Sequence, residues 1–373
     1  MSALHLAALV GLTALAAADD ECVYPGTCTP PDRAFERVAP LRPRHQWTDD
    51  GGYCGSLSIQ MIGMTYGTYV SEDVVRKAAA PGGGHGDPKN GYEILHTNIA
   101  GALSNLGFAY EQFDYESTPV PQSYAFLGFL KQNLANGSPI VWFIMCKGDA
   151  HDCYGLPNAT YDHIEATFGI YSDHPLSDAT VYPDDVLVHT SDYAPDGELD
   201  VGYYRRFDTL IDTVEMDGNC SEAQPGFGKN EMYPCLEENY SFGWAISGVR
   251  DANSLPIALS LDNIEEPDTR KDAPPVNFTA TLTLSGLEPG SKYGLFRFDV
   301  VPADVPKEYS KDNLIMIIKA TDAEERVSDP KPFLSNGAVS YRSVLLESSE
   351  VSEIDATMRA AMNGQAEGID AVA

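Results

Sequence analysis

Apolar positions in the first third of the chain recur at helical spacing. In residues 45–67, HQWTDDGGYCGSLSIQMIGMTYG, the run Leu57, Ile59, Met61, Ile62 and Met64 with small residues between them predicts a buried helix starting at Cys54. Residues 71–80, SEDVVRKAAA, predict a second, amphipathic helix opening at Ser71 with Glu72 and Asp73 in its first turn. Residues 92–107 and 124–137 predict two more helices, each ended by glycine, and the glycine-rich 81–91 between them predicts a surface loop.

Beyond Gly137 the period changes. Residues 138–146, 163–172 and 185–193 are short β-branched or aromatic runs bounded by turn residues, and they read as strands. Residues 242–249, 255–263, 277–298, 313–320 and 339–347 continue the series, with 277–298 patterned as a hairpin turning at Glu288, Pro289 and Gly290. Helices followed by strands predict an α+β domain over 19–255. The charged, proline-rich stretch 262–275 marks the approach to a smaller all-β sandwich over 256–347, and 348–373 reads as a flexible acidic tail.

Composition narrows the function classes. The 373 residues hold 55 Asp and Glu against 24 Lys and Arg, a formal net charge of -31 that repels nucleic acid and anionic membrane surfaces. Residues 1–18 form a short apolar segment closed by Ala16, Ala17 and Ala18, which predicts a secretory signal peptide cleaved after Ala18 and a secreted protein without membrane insertion. Glycosylation sequons at Asn136, Asn158, Asn219, Asn239 and Asn277 agree with that route. Of seven cysteines, Cys22 and Cys28, Cys146 and Cys153, and Cys220 and Cys235 are neighbours in sequence, whereas Cys54 has no near partner. Proximity does not fix connectivity, but an odd count in a secreted chain leaves one thiol over.

That thiol stands where chemistry favours it. A helix N-terminus presents aligned N–H groups that stabilise a thiolate. Gly52 and Gly55 let the backbone approach a substrate carbonyl, and Gln46 could join the Cys54 backbone N–H in an oxyanion hole. The segment resembles the papain-like cysteine peptidases, in particular the branch that processes double-glycine bacteriocin leaders, with its chain order Gln, Cys, His, Asp. The resemblance implies a papain-like fold, a helical half followed by an antiparallel sheet, carrying Cys54 as nucleophile, His163 as general base and acid, and Gln46 as oxyanion donor. Asp192 would orient the imidazole, with Asp173 and Asp185 as alternatives. It implies a peptide or protein substrate and no cofactor.

Rival chemistry fares worse. His163, Glu165 and His174 could ligate a metal, but the deaminase-like pattern fails because Glu238 stands where a second cysteine is required. Residues 81–86 lack the Gly-Lys-Ser/Thr of a phosphate loop and read as a flexible loop that could act as a lid. Trp47 and Trp142 read first as core aromatics. The opposing function is a peptidase-like domain without activity, secreted as a binding protein. An acyl transferase using the same site is the third possibility.

Overall fold

The glycine-flanked helix forms where the pattern places it. A computed structural model describes residues 30–44, 46–47, 52–82, 85–146, 161–190, 202–210, 241–250, 255–261 and 274–346. Its elements begin with β1 (Phe35–Val38), α1 (Cys54–Met64), β2 (Thr68–Val70), α2 (Glu72–Ala78), β3 (Gly86–Asp87), β4 (Gly91–Tyr92), α3 (Ile99–Leu106), β5 (Phe108–Gln112) and α4 (Ser123–Ala135). There follow β6 (Ile140–Cys146), β7 (Tyr161–Ser172), β8 (Val186–Thr190), β9 (Gly202–Arg206), α5 (Phe207–Leu210) and β10 (Gly243–Val249). The last strands are β11 (Ile257–Leu261), β12 (Asn277–Phe278), β13 (Ala280–Ser285), β14 (Lys292–Phe298), β15 (Leu314–Lys319), β16 (Glu324–Ser328), β17 (Phe333–Leu334) and β18 (Ala338–Leu345). The chain is α+β, with sheet predominating.

Every residue of α1 is buried, including the polar Ser58 and Gln60, which hydrogen-bond to Cys54 O and Ile164 O and to Arg44 respectively. Burial of Leu57, Ile59, Met61 and Ile62, none more than 1% exposed, contributes about 1.5–3 kcal/mol per side chain. The first sheet, in the order β5-β10-β6-β7-β8-β9, packs one face on α1, and β1 pairs with the far end of β7 where β6 has ended. Along β7, Ile164, Ala166 and Phe168 join the α1 cluster. On the opposite face, Trp142 and Leu187 join Phe126, Leu127 and Leu130 of α4.

Two departures from the sequence reading concern local polar groups. The helix expected over 92–107 starts only at Ile99, because the Asn98 side chain organises the preceding turn. Its Nδ2 donates to the carbonyls of Glu93 (2.7 Å) and Ala80 (3.1 Å), and its Oδ1 accepts from Leu95 N (2.8 Å). The loop expected over 81–91 contains the short hairpin β3-β4, turned by the Asp87 carboxylate, which accepts from Lys89 N and Asn90 N, each at 2.7 Å. The helix expected at Ser71 is as read, with Ser71 Oγ capping Val74 N at 3.2 Å.

A further departure is the hairpin expected over 277–298. β13 pairs with β11 and β16, whereas β14 pairs with β15 and β18, so the Glu288–Gly290 turn carries the chain between sheets. That turn is held by Leu287 N and Gly290 N donating to the carbonyls of Ala323 (3.0 Å) and Ala320 (2.8 Å). The two sheets share one core, with Leu259, Leu282 and Leu284 meeting Leu295, Val339 and Tyr341. The boundary between the two regions is crossed by β2, which follows α1 directly yet pairs with β18 as the edge strand of the second region. Strands β1, β2, β5, β9, β16 and β17, together with the short β3 and β4, lie outside the segments read as strands.

Candidate functional site

Cys54 is the first residue of α1, is in no disulfide among the described residues and is 8% exposed. Its helix turn is tied to β7 by Ser58, whose hydroxyl donates to Cys54 O (2.9 Å) and Ile164 O (3.3 Å). Gly55 is glycine for want of room, since a Cβ there would come within 2.7 Å of Ile94 and 2.9 Å of Ile164. The turn before the cysteine is also crowded. Gly52 has φ of +69°, and a Cβ on it would meet the Glu93 carboxylate at 2.1 Å.

Two buried charged side chains enclose that turn. Arg76, from the last turn of α2, directs its guanidinium to Gly52 O (3.5 Å) and His85 O (3.2 Å) and lies 4.3 Å over the Tyr53 ring. Glu93 accepts from His85 N at 3.0 Å, and the same oxygen lies 3.3 Å from His85 Nδ1. The Gln46 segment comes to the same place. Gln46 is half-buried, and its neighbour Trp47 meets Tyr53 at 5.6 Å between ring centroids and donates its N–H to Glu72 (3.3 Å).

No family model matches the chain, and no curated protein or solved structure matches it.

The remaining expected residues divide by position. His163 is the third residue of β7 and pairs with Ile144 of β6, directly before the Ile164 that packs on Gly55. The side chains of His163 and Cys146, all of Asp192, and Cys22, Cys28, Cys153, Cys220 and Cys235 lie outside what the structure describes. Asp173 lies beyond the other end of β7, about 30 Å along the strand from His163, where it binds Arg33 at 2.8 Å. Asp185 is buried against Lys131 at 2.7 Å. Both alternatives to Asp192 therefore serve other contacts. The proposed ligands Glu165 and His174 also part company: Glu165 approaches His189 at 3.9 Å, and His174 stacks on Tyr182 at 3.5 Å.

Two features escaped the sequence reading. A cavity of about 580 Å³ is lined by His96, Thr97, Gln112, Phe113, Asp114, Tyr115 and Glu116. Within its lining, His96 and Tyr115 both pack on Phe242, at 5.1 and 4.9 Å between ring centroids. Burial lowers the His96 pKa, which favours its neutral imidazole at physiological pH. On the sheet face away from α1, His189 is fully buried with Nδ1 2.9 Å from Thr167 Oγ1 and its ring 4.9 Å from Trp142. Its pKa is pushed well below the ordinary histidine value by burial, and further by the positive charge of Arg205. Neither feature has a signal in local sequence, because each is assembled from separate strands and loops.

Proposed function

We propose that the chain is a secreted cysteine hydrolase of the papain-like class, acting on peptide or isopeptide amides through an acyl-enzyme. The observation that carries this reading is a cysteine at the first turn of a buried helix, with the backbone before it clamped and β7 packed against that same turn. In this scheme His163 takes the Cys54 proton and the thiolate attacks the scissile carbonyl. The tetrahedral oxyanion is held by the Cys54 backbone N–H and the Gln46 amide. Imidazolium then gives its proton to the leaving amine, and water attacks the resulting thioester with His163 again as base. Asp192 orients the ring. No cofactor enters, and the acidic surface argues against nucleic acid or an anionic membrane as partner.

The test is covalent labelling. Cys54→Ser is expected to abolish labelling by a thiol-directed peptidase probe that marks the native protein at Cys54, and labelling that persists at another residue would defeat the assignment.

A second reading, a secreted binding protein with an inactive peptidase-like region, is favoured by one observation. On β7 the α1 face belongs to Ile164 and Ala166, whereas Glu165 lies by His189 and Thr167 binds the same ring on the other side of the sheet. An unreactive Cys54 with an ordinary thiol pKa would favour that reading. A third outcome, transfer of the acyl group to an amine in place of water, needs no change in the site.

A further inference from the structure

Oxyanion stabilisation depends on the aim of a backbone N–H to within a few tenths of an ångström, so what fixes the Tyr53–Cys54 peptide matters to the chemistry. One residue ahead of that peptide stands Gly52 at φ +69°, a residue type with wide conformational freedom. Its neighbours are nevertheless held on every side. The Gly52 carbonyl accepts from Arg76, the Tyr53 ring contacts the Arg76 guanidinium at 4.3 Å and the Trp47 ring at 5.6 Å, and the Glu93 carboxylate occupies the space above the Gly52 Cα. Arg76 and Glu93 are each 3% exposed, and His85 joins them through its carbonyl to Arg76 and its N–H to Glu93.

Burying a guanidinium is costly, and an apolar side chain would pack this space without that cost. A planar fork reaching two carbonyls does what an apolar group cannot: through Gly52 O it sets the Gly52–Tyr53 peptide plane, one residue before the Tyr53–Cys54 peptide, whose own carbonyl accepts from Leu57 N at 2.9 Å as the chain enters α1. We propose that Arg76, braced by Glu93, is a positioning residue that aims the Cys54 backbone N–H into the oxyanion hole. The proposal rests on Cys54 being the nucleophile.

Two probes separate aim from thiol reactivity. Iodoacetamide alkylates the thiolate by direct displacement: the S–C bond forms, the C–I bond breaks, iodide leaves, and no oxyanion develops. The peptide aldehyde acetyl-leucyl-leucyl-norleucinal adds the thiolate to its carbonyl carbon. The π pair moves to oxygen, which the hole stabilises before it is protonated. In Arg76→Met, aldehyde affinity is expected to fall about tenfold or more, while the iodoacetamide rate and its pH profile stay within about threefold of the native protein; Arg76→Lys is expected to recover part of the lost affinity. Glu93→Gln, which keeps the side-chain volume, gives the same split to a smaller degree and serves if Arg76→Met does not fold.

Unchanged aldehyde affinity in the variants, or a parallel fall in both reactivities, would overturn the positioning role and leave the nucleophile assignment standing. A native protein that reacts with iodoacetamide but forms no aldehyde adduct also overturns it, since there is then no working hole to aim. Reaction with neither probe removes the nucleophile assignment and this inference with it.

Discussion

His189 is a charge-free histidine by construction: it is fully enclosed by the β-sheet, α4 packs over its face of the sheet, and the Arg205 cation adds to the penalty on protonation. A histidine whose folded pKa lies below its unfolded value binds more protons unfolded than folded, so stability rises with pH across that interval. The contribution is present above the unfolded value of about 6.5 and is lost as the pH falls below it, at up to about 1.4 kcal/mol per pH unit for one proton. His96 shifts in the same direction through burial and adds to the trend. His189→Gln is therefore expected to flatten, without abolishing, the loss of urea stability between pH 6.5 and 5. An unchanged slope would contradict the assignment. Residues of this kind were not legible in the chain, because their environment comes from strands distant in sequence, whereas Cys54 was legible from its flanking glycines and the apolar run after it. Arg76 and Glu93 fall in two segments read only as separate helices, 71–80 and 92–107, and it is α2 and the turn after the β3-β4 hairpin that bring them together over Gly52.

β2 is the element on which the two regions depend. It is three residues long, too short to announce itself, yet Tyr69 at its centre is 2% exposed. The Tyr69 ring packs on Phe333 at 5.1 Å and Phe278 at 5.8 Å, and its hydroxyl donates to Ser335 O at 2.6 Å. Truncation leaves a cavity between the sheets, so Tyr69→Ala is expected to cost about 3–5 kcal/mol, and Tyr69→Phe only about 1 kcal/mol for the lost hydrogen bond. Chemical denaturation followed by fluorescence and circular dichroism would measure both, and a loss well under 1 kcal/mol for Tyr69→Ala would contradict the strand's role. Long elements such as α1, α4 and β7 followed from periodicity, since each carries its own apolar pattern over many residues. Sheet membership did not. β13 and β14 alternate like a hairpin but join different sheets, a choice made by the partners β11, β16, β15 and β18 and invisible in the local pattern.

At the scale of the whole molecule, α1 is the axis. Its first residue is the candidate nucleophile, its body packs on the first sheet, and its last residue, Met64, belongs to the core of the second region. The helical half delivers a thiol and the sheet half delivers a histidine-bearing strand to the same helix turn, and the central claim is that these two groups act together. The measurement that tests it most directly is the pH dependence of Cys54 alkylation by iodoacetamide, with the modified residue assigned by mass spectrometry, in the native protein and in His163→Ala. Native Cys54 is expected to react as a thiolate well below the ordinary thiol pKa of about 8.5, with a profile that moves towards that value when His163 is removed. A native Cys54 that stays unreactive at low pH, or that reacts identically without His163, would contradict it.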